Sequence, residues 1–165
     1  MTRSTCDLSD RYGDRGRVLA PIFRSYGGRR SFHGPVATIK CHEDNSRVKE
    51  VTRTPGAGRV LVVDGGGSLR YALLGDLIAT EALTNGWAGL IIHGCVRDTA
   101  VLATLDLGIQ ALASIPRRSL KNGEGQVDVP IEIAGTRIVP GDQLYADDDG
   151  IFVIDPTLLQ ADDRD

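Results

Sequence analysis

The stretch Arg59-Val60-Leu61-Val62-Val63-Asp64 is an almost uninterrupted apolar run rich in β-branched residues. Successive side chains of a strand point to opposite faces, so a run without polar residues predicts a strand that is buried on both faces. Two further runs, at residues 87–94 and 108–113, have the same character. Strands of this kind are typical of a parallel sheet at the centre of an α/β domain.

The segments around these strands predict short helices. Residues 75–83 form the strongest candidate, with Leu77, Ile78, Ala82 and Leu83 on one apolar stripe, and Asn85-Gly86 follows as a C-terminal signal. Weaker helical patterns occupy residues 5–16, 45–53 and 99–105. The middle of the chain therefore predicts alternating strands and helices.

The remaining segments favour further strands. Residues 127–139 alternate apolar with polar residues and predict a hairpin that turns at Ala134-Gly135. Residues 31–41 and 151–154 also predict strands, and residues 18–23 predict a short edge strand. The whole pattern predicts a mixed α/β domain, with sheets packed on each other and helices covering one face. We expect residues 1–165 to form a single domain with a disordered acidic tail at about residues 160–165.

Composition excludes several classes of protein. The 165 residues carry a net charge of −3, so no basic excess drives direct binding to nucleic acid. No apolar run approaches the roughly 18 to 20 residues that span a bilayer, and the N-terminus has no apolar signal core. Three widely spaced cysteines argue against a disulfide scaffold. We therefore expect a cytoplasmic protein that does not bind a membrane.

The most specific constellation joins Asp76 to the dipeptide Arg97-Asp98. Asp76 opens the predicted helix after Gly75, and Arg97-Asp98 follow the next buried strand. Asp98 offers a hard oxygen ligand for Mg²⁺ or Mn²⁺, and Arg97 offers a planar cationic fork for a carboxylate or an oxyanion. The free N–H groups of Asp76, Leu77 and Ile78 would bind a carboxylate at the helix N-terminus. A helix cap and a solvated ion pair remain an alternative interpretation of the same residues.

Other candidate groups carry weaker signals. Lys40, at the end of a predicted strand, is the one plausible Schiff-base lysine, and we expect Cys95 to be a small buried apolar residue. The three histidines lack the spacing of metal ligands, and Asp64-Gly65-Gly66-Gly67 lacks the pattern of a nucleotide-binding loop. The basic pairs Arg29-Arg30 and Arg117-Arg118 could meet a partner, although exposed arginines are usually solvated.

Several motifs in combination resemble those of one known family. They are Gly65-Gly66-Gly67 after Val62-Val63-Asp64, Ala72-Leu73-Leu74-Gly75-Asp76, Gly86-Trp87-Ala88-Gly89, Gly94-Cys95-Val96-Arg97-Asp98 and Ala146-Asp147-Asp148-Asp149-Gly150-Ile151. The sequence resembles the RraA-like family from about Asp7 to Ile154. That family includes regulators of ribonuclease E activity and class II, metal-dependent 4-hydroxy-4-methyl-2-oxoglutarate aldolases. The resemblance implies a layered β/β/α domain of the swivelling type, assembled as a homotrimer or a dimer of trimers.

The resemblance also implies a lyase reaction and its residues. The substrate would be a small 2-oxoacid, and a divalent cation, Mg²⁺ or Mn²⁺, would be held by Asp98. Cleavage of 4-hydroxy-4-methyl-2-oxoglutarate leaves a pyruvate enolate, whose negative oxygen Arg97 would stabilise. The amides of residues 75–78 would hold the substrate carboxylate, and Asp76 could position a water for proton transfer. Oxaloacetate decarboxylation would pass through the same enolate.

Two rival functions belong to other classes. The resemblance also permits a non-enzymatic regulator that binds and inhibits ribonuclease E. A methyltransferase of menaquinone synthesis is a weaker alternative. The complete set Asp76, Arg97 and Asp98 favours the enzyme, because a docking protein has no need of it.

Overall fold

The computed structural model describes residues 3–162. The strands are β1 (Arg17–Val18), β2 (Arg24–Ser25), β3 (Phe32–Lys40), β4 (Val60–Asp64), β5 (Ala72–Leu74), β6 (Gly89–Val96), β7 (Gly108–Ser114), β8 (Gln126–Val127), β9 (Ile131–Ile133), β10 (Thr136–Ile138), β11 (Gln143–Asp147) and β12 (Gly150–Ile154). The helices are α1 (Thr5–Tyr12), α2 (Ser46–Thr52), α3 (Asp76–Thr84), α4 (Thr99–Leu102) and α5 (Pro156–Asp162), and a 3₁₀ turn occupies Gly13–Arg15.

Ten strands form one curled, mixed sheet. Its main path runs β1-β12-β11-β3-β4-β6-β7-β2, with β5 added to β6 and β8 added to β3. Strands β3, β4, β6 and β7 pair in parallel, and β9 and β10 form a separate antiparallel hairpin. Strand β3 joins the two halves of the sheet, because Phe32–Pro35 pair with β11 and Val36–Lys40 pair with β4.

The parallel strands are buried on both faces, as the apolar runs predict. In β4, Leu61 and Val63 face the core beneath α2, α3 and α4, and Val60 and Val62 face the core beneath the β9–β10 hairpin. All four side chains are fully buried. The protein is therefore layered: helices, parallel strands and a second β-layer, which confirms the predicted mixed α/β class.

Not every helix lies on that one face. Strand β12 presents Ile151 and Val153 to the hairpin side and Phe152 and Ile154 to its opposite side. Helix α1 packs against this opposite side through Leu8 and Tyr12, and α5 packs there as well. The helices of the two chain ends thus cover the outer face of β12 instead of joining α2–α4.

Three of the four residues of the predicted apolar stripe of α3, Ile78, Ala82 and Leu83, pack on the core, but Leu77 does not. Leu77 is 78% exposed, and the residues that α3 buries are Ala79 and Ala82. Residues three apart share a helix face, whereas residues two apart lie about 200° around the helix, so Leu77 and Ala79 cannot both face the sheet. Two alanines on the inner face bring the α3 backbone close to the sheet.

The other differences concern short elements and helix ends. Strands β5 and β11 have no counterpart in the prediction, and the predicted edge strand at residues 18–23 is reduced to β1 at Arg17–Val18. The first helix ends at Tyr12 instead of residue 16, and the side chain of Ser4 caps it. Helix α5 carries residues 160–162 of the predicted tail, and residues 163–165 lie outside the described part of the chain. Within residues 3–162, no helix has the length and apolar character needed to cross a membrane.

Candidate functional site

The two halves of the predicted site meet at one edge of the sheet. Strands β5 and β6 run in parallel and pair Leu74 with Val96, so Gly75-Asp76 and Arg97-Asp98 leave the sheet side by side. The ladder continues one step further, because the N–H of Arg97 donates to the carbonyl of Leu74 at 2.9 Å. Parallel strands thus bring together residues that are far apart in the sequence.

Asp98 contacts the start of α3 directly. The N–H of Asp76 donates to Oδ2 of Asp98 at 3.1 Å, and the Nε of Arg97 lies 3.9 Å from the same oxygen. Asp98 has the left-handed backbone angles φ 55° and ψ 41°, and its carbonyl accepts from the first turn of α4. This turn swings the carboxylate back toward α3. The carboxylate and the guanidinium remain partly exposed, at 37% and 40%.

Gly75 makes this close approach possible. A Cβ atom at Gly75 would lie 2.7 Å from Oδ2 of Asp98 and 3.3 Å from Nε of Arg97. Real Cβ contacts are not that short, so any side chain here would push the two charged groups away. The glycine that the sequence identifies as a helix cap also leaves space for Asp98 and Arg97.

The predicted free amides are partly occupied by the protein's own carboxylates. The N–H of Asp76 donates to Asp98, and the N–H of Leu77 donates to Oδ1 of Asp76 at 2.8 Å. A helix N-terminus attracts negative charge, and here two side chains satisfy that attraction. A ligand carboxylate at this position would replace one of them.

A cavity of about 400 Å³ lies between α2 and α3, with Arg97 in its wall. Gly75, Asp76, Leu77 and Ile78 line it, as the sequence predicts for binding residues. Asp98 instead lines a neighbouring depression of about 210 Å³, which shares Arg97 with the larger cavity. Arg97 therefore borders both spaces.

Several lining residues escape the sequence prediction. They come from α2 and the residues that flank it, and from the segment after β7: Asn45, Lys49, Arg53, Arg118, Ser119 and Lys121. Five of the cavity's lining residues are basic and two are acidic, so the space suits an anion with more than one negative group. Among these six residues, the sequence singled out only Arg118, as part of the basic pair Arg117-Arg118. It interpreted that pair as a contact for a partner, not as part of a binding cavity.

Asn45 adds an unpaired acceptor to this wall. The residue is 7% exposed, and its Nδ2 donates to the carbonyl of Leu73 at 3.3 Å. Its Oδ1 is buried and has no hydrogen-bond partner among the described residues. A buried acceptor without a partner is costly, so this oxygen favours a ligand or water that donates a hydrogen bond.

The donor set suits a cation that keeps most of its water. No group of three His, Cys, Asp or Glu side chains within residues 3–162 could hold a metal ion. Mg²⁺ is commonly bound through one or two carboxylates, with water and substrate oxygens completing its shell. Asp98, whose carboxylate accepts from the N–H of Asp76 and lies 3.9 Å from Nε of Arg97, fits that mode and is compatible with a Mg²⁺-type site.

The weaker candidates lie elsewhere. Lys40 is exposed and does not line the cavity, which does not favour a desolvated Schiff-base lysine. Cys95 is fully buried, and burial raises the pKa of its thiol, as expected of a structural apolar residue. The glycine loop packs on the protein itself, since a Cβ at Gly66 would lie 2.9 Å from His42 and one at Gly67 would lie 3.3 Å from His93.

Known proteins resemble this chain over nearly its whole length. A family model described as RraA-like, Aldolase/RraA, matches residues 5–153. A protein of Alkalilimnicola ehrlichii named "Putative 4-hydroxy-4-methyl-2-oxoglutarate aldolase" is 55% identical over 98% of this chain and 100% of its own length. A relative of the same name from Xanthomonas campestris is 56% identical over 93% of this chain and 92% of its own.

Two solved structures share the fold closely. The RNA-processing inhibitor RraA from Thermus thermophilis matches with a TM-score of 0.90 and 48% identity, over 93% of each chain. A protein described as S-adenosylmethionine: 2-dimethylmenaquinone methyltransferase, from Geobacillus kaustophilus, matches with a TM-score of 0.93 and 46% identity. That match covers 96% of this chain and 98% of the other.

Proposed function

The chain belongs to the RraA-like family, and from this premise we propose that it is a divalent-metal-dependent lyase. It cleaves 4-hydroxy-4-methyl-2-oxoglutarate to pyruvate and decarboxylates oxaloacetate as a second reaction. The observation that carries the proposal is the meeting of Arg97, Asp98 and the N-terminus of α3 beside one basic cavity. The aldolase name of relatives at 55% and 56% identity supports the same activity.

The cavity binds the substrate through both of its carboxylates. The amides at the start of α3 receive the carboxylate next to the 2-keto group, because a helix N-terminus carries partial positive charge. The basic side chains at the other wall, Lys49, Arg118 and Lys121, receive the second carboxylate. Two charged anchors fix the substrate's orientation before the bond breaks.

Arg97 stabilises the charge that develops during cleavage. When the C3–C4 bond breaks, its electron pair moves toward C2 and places negative charge on the former keto oxygen. The planar guanidinium donates hydrogen bonds to that oxygen. Loss of carbon dioxide from oxaloacetate creates the same enolate, so the same residue serves both reactions.

Asp76 moves the protons of the reaction through a water molecule. It accepts the proton of the 4-hydroxyl group as C4 becomes a ketone, and a proton then returns to C3 of the enolate. Asp98, with Asp76 nearby, would hold the divalent cation, Mg²⁺ or Mn²⁺. That cation supplies positive charge to the carboxylate and the 2-keto oxygen when it is bound.

We also propose that the protein is cytoplasmic and assembles as a homotrimer or a dimer of trimers. Exposed apolar side chains, among them Val101 and Leu120, support a further interface. The three free cysteines are consistent with a reducing compartment. Light scattering across a concentration series tests the assembly, and a mass of one chain throughout would contradict it.

A coupled assay tests the lyase activity. The protein is mixed with Mg²⁺ or Mn²⁺ and either substrate, and pyruvate release is followed through NADH consumption. We expect kcat to fall about 10²- to 10³-fold in Arg97→Ala, the usual effect of removing an oxyanion donor. Asp98→Ala and EDTA should also abolish most of the activity.

Arg29→Ala is the matched control for Arg97→Ala. Arg29 forms an exposed ion pair with Asp106 at 3.0 Å and lines neither space of the site. This variant should retain wild-type turnover. Activity that survives EDTA, or that Arg97→Ala and Asp98→Ala leave intact, would refute the mechanism.

A second candidate function is the binding and inhibition of ribonuclease E. The 48% identity to a protein described as an RNA-processing inhibitor favours this candidate. Binding to purified ribonuclease E should then persist in Arg97→Ala and Asp98→Ala, because a docking surface does not need these residues. Undetectable binding of the wild-type protein would exclude this role.

A further inference from the structure

A buried carboxylate lies directly behind the cavity wall. Asp44 is 1% exposed and precedes Asn45, a lining residue of the cavity. Its Oδ1 accepts from the N–H of Ser46 at 2.8 Å, and its Oδ2 accepts from the N–H groups of Asn122 at 2.7 Å and Glu124 at 3.4 Å. One side chain thus ties the start of α2 to the segment that carries Lys121.

The segment at residues 119–124 depends on contacts of this kind. Its backbone includes no helix, and the hydroxyl of Ser119 ties it to the sheet by donating to the carbonyl of Ala72 at 2.6 Å. The N–H of Leu120 donates to the carbonyl of Glu43 at 2.9 Å. Lys121 is therefore held on both sides, through Leu120 and through Asn122.

Asp44 remains charged in this position. Burial opposes its ionisation, but the hydrogen bonds from Ser46, Asn122 and Glu124 hold the pKa of the carboxyl below its ordinary value. Hydrogen bonds to an ionised acceptor are about twice as strong as those between neutral groups. A neutral residue of the same shape would hold the loop less firmly.

We propose that Asp44 is a positioning residue that fixes Lys121 at the cavity, and thereby sets the affinity of the site for 2-oxoacids that carry a second carboxylate. The proposal rests on the proposed function, since it assigns Lys121 to that carboxylate. Asp44 itself does not line the cavity, whereas its neighbour Asn45 and the anchored Lys121 do.

Two non-reacting ligands separate this role from general stability. Pyruvate carries one carboxylate, and 2-oxoglutarate carries two but lacks the 4-hydroxyl group needed for cleavage. Calorimetric titration in Mg²⁺ measures the affinity of each ligand. In Asp44→Asn we expect about a tenfold weaker affinity for 2-oxoglutarate, at the low end for a lost charge-assisted hydrogen bond. The affinity for pyruvate should stay unchanged.

Asp142→Asn is the matched control. Asp142 is also a buried turn carboxylate, 4% exposed, and accepts from the N–H of Val139 at 3.0 Å, far from the cavity lining. Both variants should melt at a lower temperature than the wild type, but only Asp44→Asn should change the affinity for 2-oxoglutarate. Lys121→Met should reproduce that change, and combining it with Asp44→Asn should add little, because the two residues act as one unit.

The outcomes separate the two proposals. Wild-type binding of 2-oxoglutarate without lyase activity would refute the proposed reaction and leave the positioning role standing. Equal weakening of both ligands in Asp44→Asn, unchanged affinity for both, or additive effects with Lys121→Met would overturn the positioning role. Failure of the wild type to bind either ligand would overturn it too.

Discussion

Gly75 is the residue whose smallness controls the geometry of the site. The oxygen of Asp98 and the guanidinium of Arg97 both lie where a side chain at this position would be. In Gly75→Ala we therefore expect turnover to fall at least about tenfold as these groups shift. The pyruvate assay and thermal unfolding together measure the effect.

Gly141→Ala provides the comparison for that variant. Gly141 has φ 91°, which strains an alanine, but a Cβ there would meet nothing within 4 Å. This variant should lose about 1 kcal/mol of stability and keep its turnover. Wild-type turnover in Gly75→Ala would show that the close approach of Asp98 and Arg97 is not required.

Sequence reasoning predicted the convergence of Asp76 with Arg97-Asp98 but missed much of the cavity wall. Asp76 starts α3 and Arg97-Asp98 follow β6, and both of these elements have strong sequence patterns. The two segments converge because β5, which precedes Asp76, pairs in parallel with β6. Asn45 and Lys121 carry no such pattern. Their place in the wall depends on the hydrogen bonds of Asp44, which no local sequence rule predicts.

At the scale of the elements, apolar periodicity located α3 and most of its inner face but misplaced Leu77. Ala79 and Ala82 face the sheet, and the larger Leu77 stands in solvent beside the cavity. Sequence reasoning placed Leu77 on this face and missed Ala79, because it favours large apolar residues over alanine. Small residues allow a helix to approach a sheet closely, and the packing there leaves no room for a larger side chain.

This inner face gives a stability prediction. Ala82→Leu should destabilise the protein by about 1–3 kcal/mol, because it overpacks a fully buried contact. Leu77→Gln should change the free energy of unfolding by less than about 0.5 kcal/mol, as is usual for an exposed position. Urea unfolding measures both values, and the reverse ranking would contradict the observed orientation of α3.

Apolar patterns predicted the long strands more accurately than the short ones. Runs such as β4 and β6 were predictable because both of their faces are buried, which leaves a continuous apolar signal. Strand β5 has only three residues between polar segments, and β11 is half-buried on alternating positions. Their pairing partners define them as strands more than their own composition does.

At the scale of the whole molecule, buried carboxylates connect stability to pH. Burial raises the pKa of three carboxyls, those of Asp44, Asp64 and Asp147. The hydrogen bonds that each of them accepts outweigh this effect and hold its pKa below the ordinary value. A carboxyl whose pKa is lowered in the folded state stabilises the protein at any pH above its unfolded-state pKa of about 3.9. That contribution is lost as pH falls toward the folded-state pKa.

We therefore expect the free energy of unfolding to fall as pH decreases from about 5 to 3. Urea titrations at a series of pH values test this expectation. Asp44→Asn should show a shallower decrease than the wild type, because one of the three groups no longer titrates. Stability that rises on acidification through this range would contradict the assignment.

The central claim is that a cation and a 2-oxoacid meet at Arg97, Asp98 and the start of α3. A crystal structure of the protein grown with Mn²⁺ and pyruvate tests it most directly, because the anomalous signal identifies the metal. We predict Mn²⁺ on the carboxylate of Asp98, with pyruvate between Arg97 and the first turn of α3. Manganese and pyruvate bound elsewhere, with this edge of the sheet empty, would contradict the account.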